Sequence, residues 1–407
     1  MSEPVRIGLL GHGTVGGALH GLIADRAGAV EASTGRRPEV AGVLRRSEGD
    51  FEEILAGSDI VVELIGGTDP ARDYVLRALR EGKHVVTANK QLIAQHGDEL
   101  FDAAREAGVQ IRFEAAVAGV VPVIRVIQES LAATEIEKVF GIVNGTTNFI
   151  LTEMAKTGAG YDEVLARAQQ LGYAEADPTD DVNGADAAAK MAILARLAFG
   201  SPVVLADVAF EGIESVTPDD LAYARDLGLS LKLLGVAERR GEQISVRVFP
   251  CFLYGGHPLA PIEGPFNAVM VEAPAITEIT MSGPGAGGIE TASAVLGDIV
   301  SIVAGEAPVH QPREKIEIAR DISSSFYLHL EVADEPGVLA QIADVLGRAA
   351  ISVKSVVQRG HGDEARLVMV VHECPEDAFA AAVAEIAGLD FMRAEPRAIR
   401  VIEEEFV

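Results

Sequence analysis

Residues 5–16 read VRIGLLGHGTVG, an apolar run closed by Gly11-His12-Gly13-Thr14-Val15-Gly16. The run Val5 to Leu10 suits a strand buried on both faces of a parallel sheet. Val15 to Ile23 continues with helical spacing. Strand, GxGxxG and helix in that order form the dinucleotide fingerprint in the context it requires. The glycines let the backbone turn tightly and approach a pyrophosphate seated on the helix N-terminus. Gly11, Gly13, Thr14, Val15 and Gly16 are therefore candidate cofactor contacts, and the fold class expected is α/β.

The stretches that follow extend the same pattern. Val40 to Leu44 reads as the second strand and ends in Arg45-Arg46-Ser47. An NAD site places an acid at this strand end, whereas arginine accommodates a 2′-phosphate. Arg45 and Arg46 thus favour NADP, with NAD as the alternative. Ile60 to Ile65, closed by Gly66-Gly67, and His84 to Thr87, closed by Ala88-Asn89-Lys90, are further strands separated by helical patterns. This alternation predicts a Rossmann-type doubly wound parallel sheet. Lys90 sits at a strand's carboxyl end, where such sheets bind ligands. Ile111 to Val117 leads through a Gly-Val-Val-Pro turn into a helical segment ending at Leu131.

Val139 to Val143 is another strand, and Asn144-Gly145-Thr146-Thr147-Asn148 precedes a helix. Those side chains suit either a turn or hydrogen bonds to a polar substrate. Further on, the sequence predicts a helix at Asp219 to Leu227 and an alternating strand at Ser245 to Phe252. The loop Gly283 to Gly288 opens a helix at Thr291 to Ala304. It is either a second phosphate-facing turn, with Gly287 as a contact, or a close-packed one.

Residues 172–199, GYAEADPTDDVNGADAAAKMAILARLAF, hold the chemistry. Five carboxylates (Glu175, Asp177, Asp180, Asp181, Asp186) crowd the first half, and the second reads as a helix apolar nearly all round. Such a helix is buried. Asp186 and Lys190 lie one turn apart on it, and buried charges cost free energy unless partnered. The pair is either an internal ion pair or a proton-donating lysine beside carboxylates that hold an ammonium group. A calcium loop counted from Asp177 fails, because Val182 stands where glycine belongs and Ala188 where glutamate belongs.

From Phe326 the pattern becomes βαββαβ: strands at Phe326–Val332, Ile351–Gln358, Ala365–Val371 and Ala398–Ile402, helices at Val338–Ala349 and Glu376–Ile386. That order is ferredoxin-like and implies a binding or pairing module with an edge or face open to a partner copy. The expected divisions are 1–130, completed by 300–322; an α+β catalytic domain at 131–300; and 326–407.

Net charge is −27 with no basic run, which sets nucleic acid aside. No apolar run reaches membrane-spanning length. Cys251 and Cys374, distant and without ligand spacing, suit reduced thiols of a cytoplasmic protein.

The chain resembles the monofunctional homoserine dehydrogenases with a C-terminal ACT domain. The stretches that carry the likeness are GLLGHGTVG, VVELIGG, VTANK, FEAAVAG, GIVNGTTNFIL, LGYAEADPTDDVNGADAAAK, GPGAGG with TASAV, and DEPGVLAQIA. The resemblance implies reversible, NAD(P)H-dependent reduction of L-aspartate 4-semialdehyde to L-homoserine. It implies Lys190 as general acid, Lys90 beside cofactor and substrate, and Glu175 and Asp186 as carboxylates that hold the substrate. Thr146, Tyr173 and Asp181 are implied as neighbouring contacts. A sodium ion is implied on the backbone carbonyls of Glu114, Val117, Gly119 and Val121. Two departures stand out: Val120 replaces a glycine usual in the family's cation loop, and Glu290 replaces a proline before TASAV. For the C-terminal module the resemblance implies L-threonine held near Asp334, Gly337, Val338 and Leu339 in a homodimer or homotetramer. The rivals are another NADP-linked amino-acid dehydrogenase and a non-catalytic sensor, and a proton-donating Lys190 argues against the sensor.

Overall fold

The computed structural model describes residues 4–306, 314–360 and 365–402. It opens with β1 (Val5–Leu10), α1 (Thr14–Thr34), β2 (Pro38–Leu44), α2 (Phe51–Gly57), β3 (Ile60–Glu63), α3 (Ala71–Arg80), β4 (His84–Thr87), α4 (Lys90–Ala107) and β5 (Ile111–Arg112). The five strands are parallel in the order β2-β1-β3-β4-β5. Strand order reverses between β1 and β3, which is where such sheets seat a dinucleotide. Ile7, Leu9, Val62 and Val86 pack with Leu19 and Ile23 of α1.

The chain leaves this sheet sooner than its apolar pattern implies. β5 stops at Arg112, and Glu114–Ala116 form a 3₁₀ turn. The buried Glu114 carboxylate accepts the backbone N–H groups of Ile124 and Arg125 and so caps α5 (Val123–Arg125). The expected helix to Leu131 continues only as a π-turn, Val126–Ser130.

The next elements are β6 (Lys138–Ile142), α6 (Gly145–Thr157), α7 (Tyr161–Leu171), α8 (Thr179–Val182), α9 (Ala185–Phe199), β7 (Ala209–Phe210) and α10 (Pro218–Asp226). Strands β8 (Leu229–Arg240), β9 (Gln243–Tyr254), β10 (Phe266–Ala273) and β11 (Thr277–Pro284) follow, then α11 (Gly288–Ala304). Ala292, Val295 and Ile299 of α11 return to the first sheet's core. The completion expected at 300–322 therefore falls at 288–304, while β12 (Glu317–Ile318) pairs with β9 instead.

The last elements are β13 (Ser323–Val332), α12 (Val338–Arg348), β14 (Val353–Arg359), β15 (Ala365–Pro375), α13 (Glu376–Ala387) and β16 (Arg397–Ile402). Of the turn expected between β14 and β15, residues 361–364 lie outside the described residues. The order β16-β13-β15-β14 is the ferredoxin-like one, and β16 pairs in parallel with β9. One sheet thus runs from β11 through β10, β6, β8 and β9 into the C-terminal module.

The module's open face and edge, expected to await a partner, are largely used within the chain. Tyr327, Val368, Ile399 and Val401 join the main core cluster. Asp220 of α10 lies buried 3.2 Å from His329 Nδ1 of β13 and accepts from Arg397 of β16. Glu376 of α13 accepts from Arg247 of β9, and Arg400 reaches Glu211. The edge of β14 is left.

Helix α9 is pressed onto the large sheet by missing side chains opposite it. Gly141 and Gly235 are paired across β6 and β8. A Cβ at Gly235 would come within 2.5 Å of Met191 Sδ, and one at Gly141 within 3.1 Å. Two strand glycines thus admit Met191 and fix the depth of its neighbour Lys190.

Candidate active site

Lys90 is the first residue of α4, and the Asn89 side chain caps that helix by accepting from Leu92 N at 3.1 Å. Asp186 lies in the first turn of α9, where the helix dipole favours an acid, and Lys190 one turn on. The structure brings all three together. Lys190 Nζ donates to Asp186 Oδ2 at 2.7 Å and to Val143 O at 2.8 Å. Lys90 Nζ pairs with Asp186 Oδ1. One buried carboxylate therefore joins two ammonium groups, and two of Lys190's three N–H groups are used.

A cavity of about 240 Å³ opens on this cluster, lined by Lys90, Glu175, Asp177, Thr179, Asp180, Asp181 and Asp186. Each of the five carboxylates noted in the sequence is on its wall. Burial works against the Asp186 charge, but Lys190 and Lys90 together hold its carboxyl well below the usual range. Burial pushes Asp181 up, with Asn144 opposing and Asp186 adding. Burial disfavours the Lys90 ammonium, yet Asp186 keeps its pKa above the ordinary lysine value.

Asn144 is a residue that the sequence leaves open between a turn and hydrogen bonds to a polar substrate. Its Nδ2 donates to Asp181 Oδ1 at 2.7 Å and Asp186 Oδ2 at 2.9 Å, while its Oδ1 caps α6 through Thr147 N. An asparagine between an apolar strand and a helix was the available signal. Thr146 and Tyr173 meet each other at the rim: Thr146 Oγ1 donates to Tyr173 O, and the Tyr173 ring rests on Phe149. Neither lines the cavity.

The fingerprint side fits a dinucleotide. Gly11 has φ +105°, and a Cβ there would stand 2.6 Å from Leu64 O. Gly13 has open space over its Cα and no side chain caps α1, which leaves its first N–H groups for phosphate. Thr14 and Val15 begin that helix, and a Cβ at Gly16 would collide with Gly11 O. The second glycine loop does reach this place: a Cβ at Gly288 would come 2.9 Å from Thr14 Cγ2. Gly287, however, lies against the Glu290 carboxylate, which sets negative charge beside it and stands against a phosphate at that residue. Arg45 and Arg46 follow β2, and Arg45 is held by Glu48 at 2.8 Å.

The proposed cation loop follows the 3₁₀ turn. Ala118 and Gly119 both have positive φ, +58° and +63°. The Val121 carbonyl accepts Val123 N, and Val117 N donates weakly to Glu114 O at 3.3 Å. Beneath lie two buried carboxylates: burial together with Asp298 raises Glu114 to about 7, and burial raises Asp298 to about 6. In the C-terminal module, Asp334, Gly337, Val338 and Leu339 line a cavity of about 400 Å³, with Gln358 donating to Asp334 at 3.2 Å.

A dinucleotide-binding parallel sheet whose β4 loop delivers a lysine to a carboxylate-lined cavity defines a pyridine-nucleotide-dependent dehydrogenase of a small amino acid. Family models described as "Homoserine dehydrogenase, NAD binding domain", "Homoserine dehydrogenase" and "ACT domain" match residues 11–114, 122–300 and 327–391. The chain belongs to the homoserine dehydrogenase family. It is 40% identical over 418 residues to homoserine dehydrogenase of Neisseria gonorrhoeae, which covers 95% of this chain and 96% of that one. The crystal structure of a homoserine dehydrogenase from Thiobacillus denitrificans superposes with a TM-score of 0.94 at 38% identity, covering 98% and 99% of the two chains. A hyperthermophilic archaeal homoserine dehydrogenase in complex with NADPH covers 75% of this chain and 100% of its own, with a TM-score of 0.64 at 29% identity. The activity is accordingly that of an NAD(P)-dependent oxidoreductase acting on homoserine.

Proposed function

We propose that the protein interconverts L-homoserine and L-aspartate 4-semialdehyde with NADP, and that Lys190 moves the proton. The carrying observation is the bridge Lys90–Asp186–Lys190: Lys90 and Asp186 line the carboxylate-rich cavity, and Lys190, not itself a lining residue, is held 2.7 Å from Asp186 Oδ2. When bound, the nicotinamide supplies or accepts the hydride. In the reducing direction negative charge grows on the aldehyde oxygen, and Lys190 has an N–H left to donate to it. Lys90 lines the same cavity and adds positive charge on the cofactor side. Asp186 already accepts from two lysines and Asn144, so the substrate ammonium falls chiefly to Glu175 and Asp181, with Asp177 and Asp180 shaping the field. The test is homoserine-dependent reduction of NADP by the purified protein; activity without homoserine dependence would overturn the reading.

The preference for NADP rests on the β2 end. Arg45 is engaged by Glu48, so Arg46 is the arginine that meets a 2′-phosphate. Replacing Arg46 with a neutral residue and Ser47 with Asp erases or reverses the preference, read as the ratio of kcat/KM for the two cofactors. Wild type using NAD better than NADP would refute this.

A sodium ion on the carbonyls of Glu114, Val117, Gly119 and Val121 is supported by the reversed backbone at 118–119 over two buried carboxylates. A monovalent ion there is structural, being a poor Lewis acid beside divalent metals.

The C-terminal cavity fits L-threonine as an inhibitor. Helix α12 starts at Gly337 (φ +97°) without a side-chain cap, so its N–H groups can meet a carboxylate. The neighbouring β14 edge suits pairing with a second copy in a homodimer or homotetramer. Inhibition requires unequal threonine affinity for active and inactive arrangements. Asp334→Ala weakens threonine binding by about tenfold, the worth of one hydrogen bond to a charged group. Calorimetry without a threonine signal on the intact protein would sink this assignment.

A further inference from the structure

Glu63, the last residue of β3, is fully buried (0% exposed), and no cation pairs with it among the described residues. A carboxylate in that position is costly unless hydrogen-bond donors replace water. Three do: Ile65 N at 2.7 Å and Gly66 N at 3.1 Å on Oε1, and Thr87 Oγ1 at 2.6 Å on Oε2. Thr87 ends β4, directly across from Glu63. Its hydroxyl also accepts Asn89 N at 3.0 Å, and Asn89 Nδ2 donates to Gly67 O at 2.6 Å. The contacts close a ring through Glu63, the loop 64–67, Asn89 and Thr87.

Two pieces of machinery hang on this ring. On one side the loop abuts the fingerprint: Leu64 N donates to Leu10 O at 2.8 Å, and Leu64 O fills the space that a Cβ on Gly11 would need. On the other side Asn89 caps α4, whose first residue is Lys90. A turn that needed only its N–H groups satisfied would not require a link to the neighbouring strand and on to a helix cap.

We propose that Glu63 is a positioning residue: through Thr87 and Asn89 it sets Lys90 relative to the loop that borders the cofactor. This rests on the reading of Lys90 as a site residue. The mechanism is geometric, since a reacting pair displaced by about 1 Å can lose two orders of magnitude in rate.

The full-length enzyme tests it through Glu63→Gln, Thr87→Val and Thr87→Ser, each also made with Lys90→Ala. Glutamine keeps the shape but turns one acceptor into a donor facing Thr87. Glu63→Gln lowers kcat by about ten- to a hundredfold with homoserine KM changed by less than about threefold. Thr87→Val loses part of the same activity, and Thr87→Ser, which restores the hydroxyl, recovers most of it. With Lys90→Ala in place the further loss from Glu63→Gln shrinks to less than about threefold, because residues acting as a unit are not additive. Full additivity with Lys90→Ala would overturn the proposal, as would a Thr87→Val variant with lowered melting temperature and wild-type kcat. Should Glu63→Gln fail to fold, the Thr87 pair decides. Wild-type kcat in Lys90→Ala alone would instead overturn the reading of Lys90, and this proposal with it.

Discussion

Lys190→Ala lowers kcat by about two to four orders of magnitude, the usual worth of a positioned acid or base, and leaves the NADP dissociation constant nearly unchanged. The second half follows from where the lysine is anchored. Its Nζ is fixed by Val143 O, just after β6, and by Asp186 of α9, both outside the five-stranded sheet that carries the fingerprint. The first half follows from what it has left to give, one N–H for the alkoxide charge that develops in the proposed reaction. Glu175→Ala acts differently. That exposed carboxylate makes no ion pair with a lysine among the described residues and is the partner proposed for the substrate ammonium, so its loss raises homoserine KM with little change in kcat. A Lys190→Ala variant with near-normal turnover would return Lys190 and Asp186 to an internal ion pair.

Much of this was legible in the chain itself, for reasons that differ by element. The parallel sheet announces itself because β1, β3 and β4 are buried on both faces along most of their length and so read as short, mainly apolar runs. Strands β8, β10 and β11 went unassigned. β8 is buried along most of its length and lacks alternation, while β11 is an exposed edge with a weak pattern. The acidic loop was visible as composition. Its convergence with Lys90, eighty-five residues or more upstream, is a tertiary fact that no local spacing contains. The ring of Glu63, Thr87 and Asn89 was not seen in the sequence, and Asn144 was left open between a turn and a substrate contact, for a related reason: each looks like turn or cap chemistry until its partners are seen.

The C-terminal module is where local pattern and global placement part most clearly. Its βαββαβ order and the turn at Asp334 to Gly337 that opens its first helix were readable, but the cavity there and the union with β9 were not. Cutting the chain before Phe326 would therefore do more than remove a sensor. It would strip Tyr327, Val368, Ile399 and Val401 from the main core and leave Asp220 buried without His329 or Arg397. Truncation tests assembly as much as regulation, and point changes in the Asp334 cavity separate the two.

Asp186→Asn has the largest expected effect on the fold and the site together. The wild-type carboxylate accepts from Lys90, Lys190 and Asn144. Asparagine keeps the volume but removes the charge, and its amide offers a donor where all three partners are donors. Two ammonium groups then lose their buried counter-charge, a change that costs about 3–5 kcal/mol when one partner of a buried pair is removed. Turnover falls by about a hundredfold or more with it, because both lysines lose the carboxylate they share and Lys190 keeps only Val143 O. The pH dependence gives an independent check. The folded-state pKa of Asp186 is depressed, so its contribution is complete above the unfolded value near pH 4 and is lost as pH falls further. The stability gap between wild type and Asp186→Asn therefore stays constant from about pH 5 to 8 and narrows below about pH 4. Chemical denaturation across that range measures it. A gap that widened on acidification, or an Asp186→Asn protein as stable as wild type at neutral pH, would mean that the two lysines do not depend on this carboxylate.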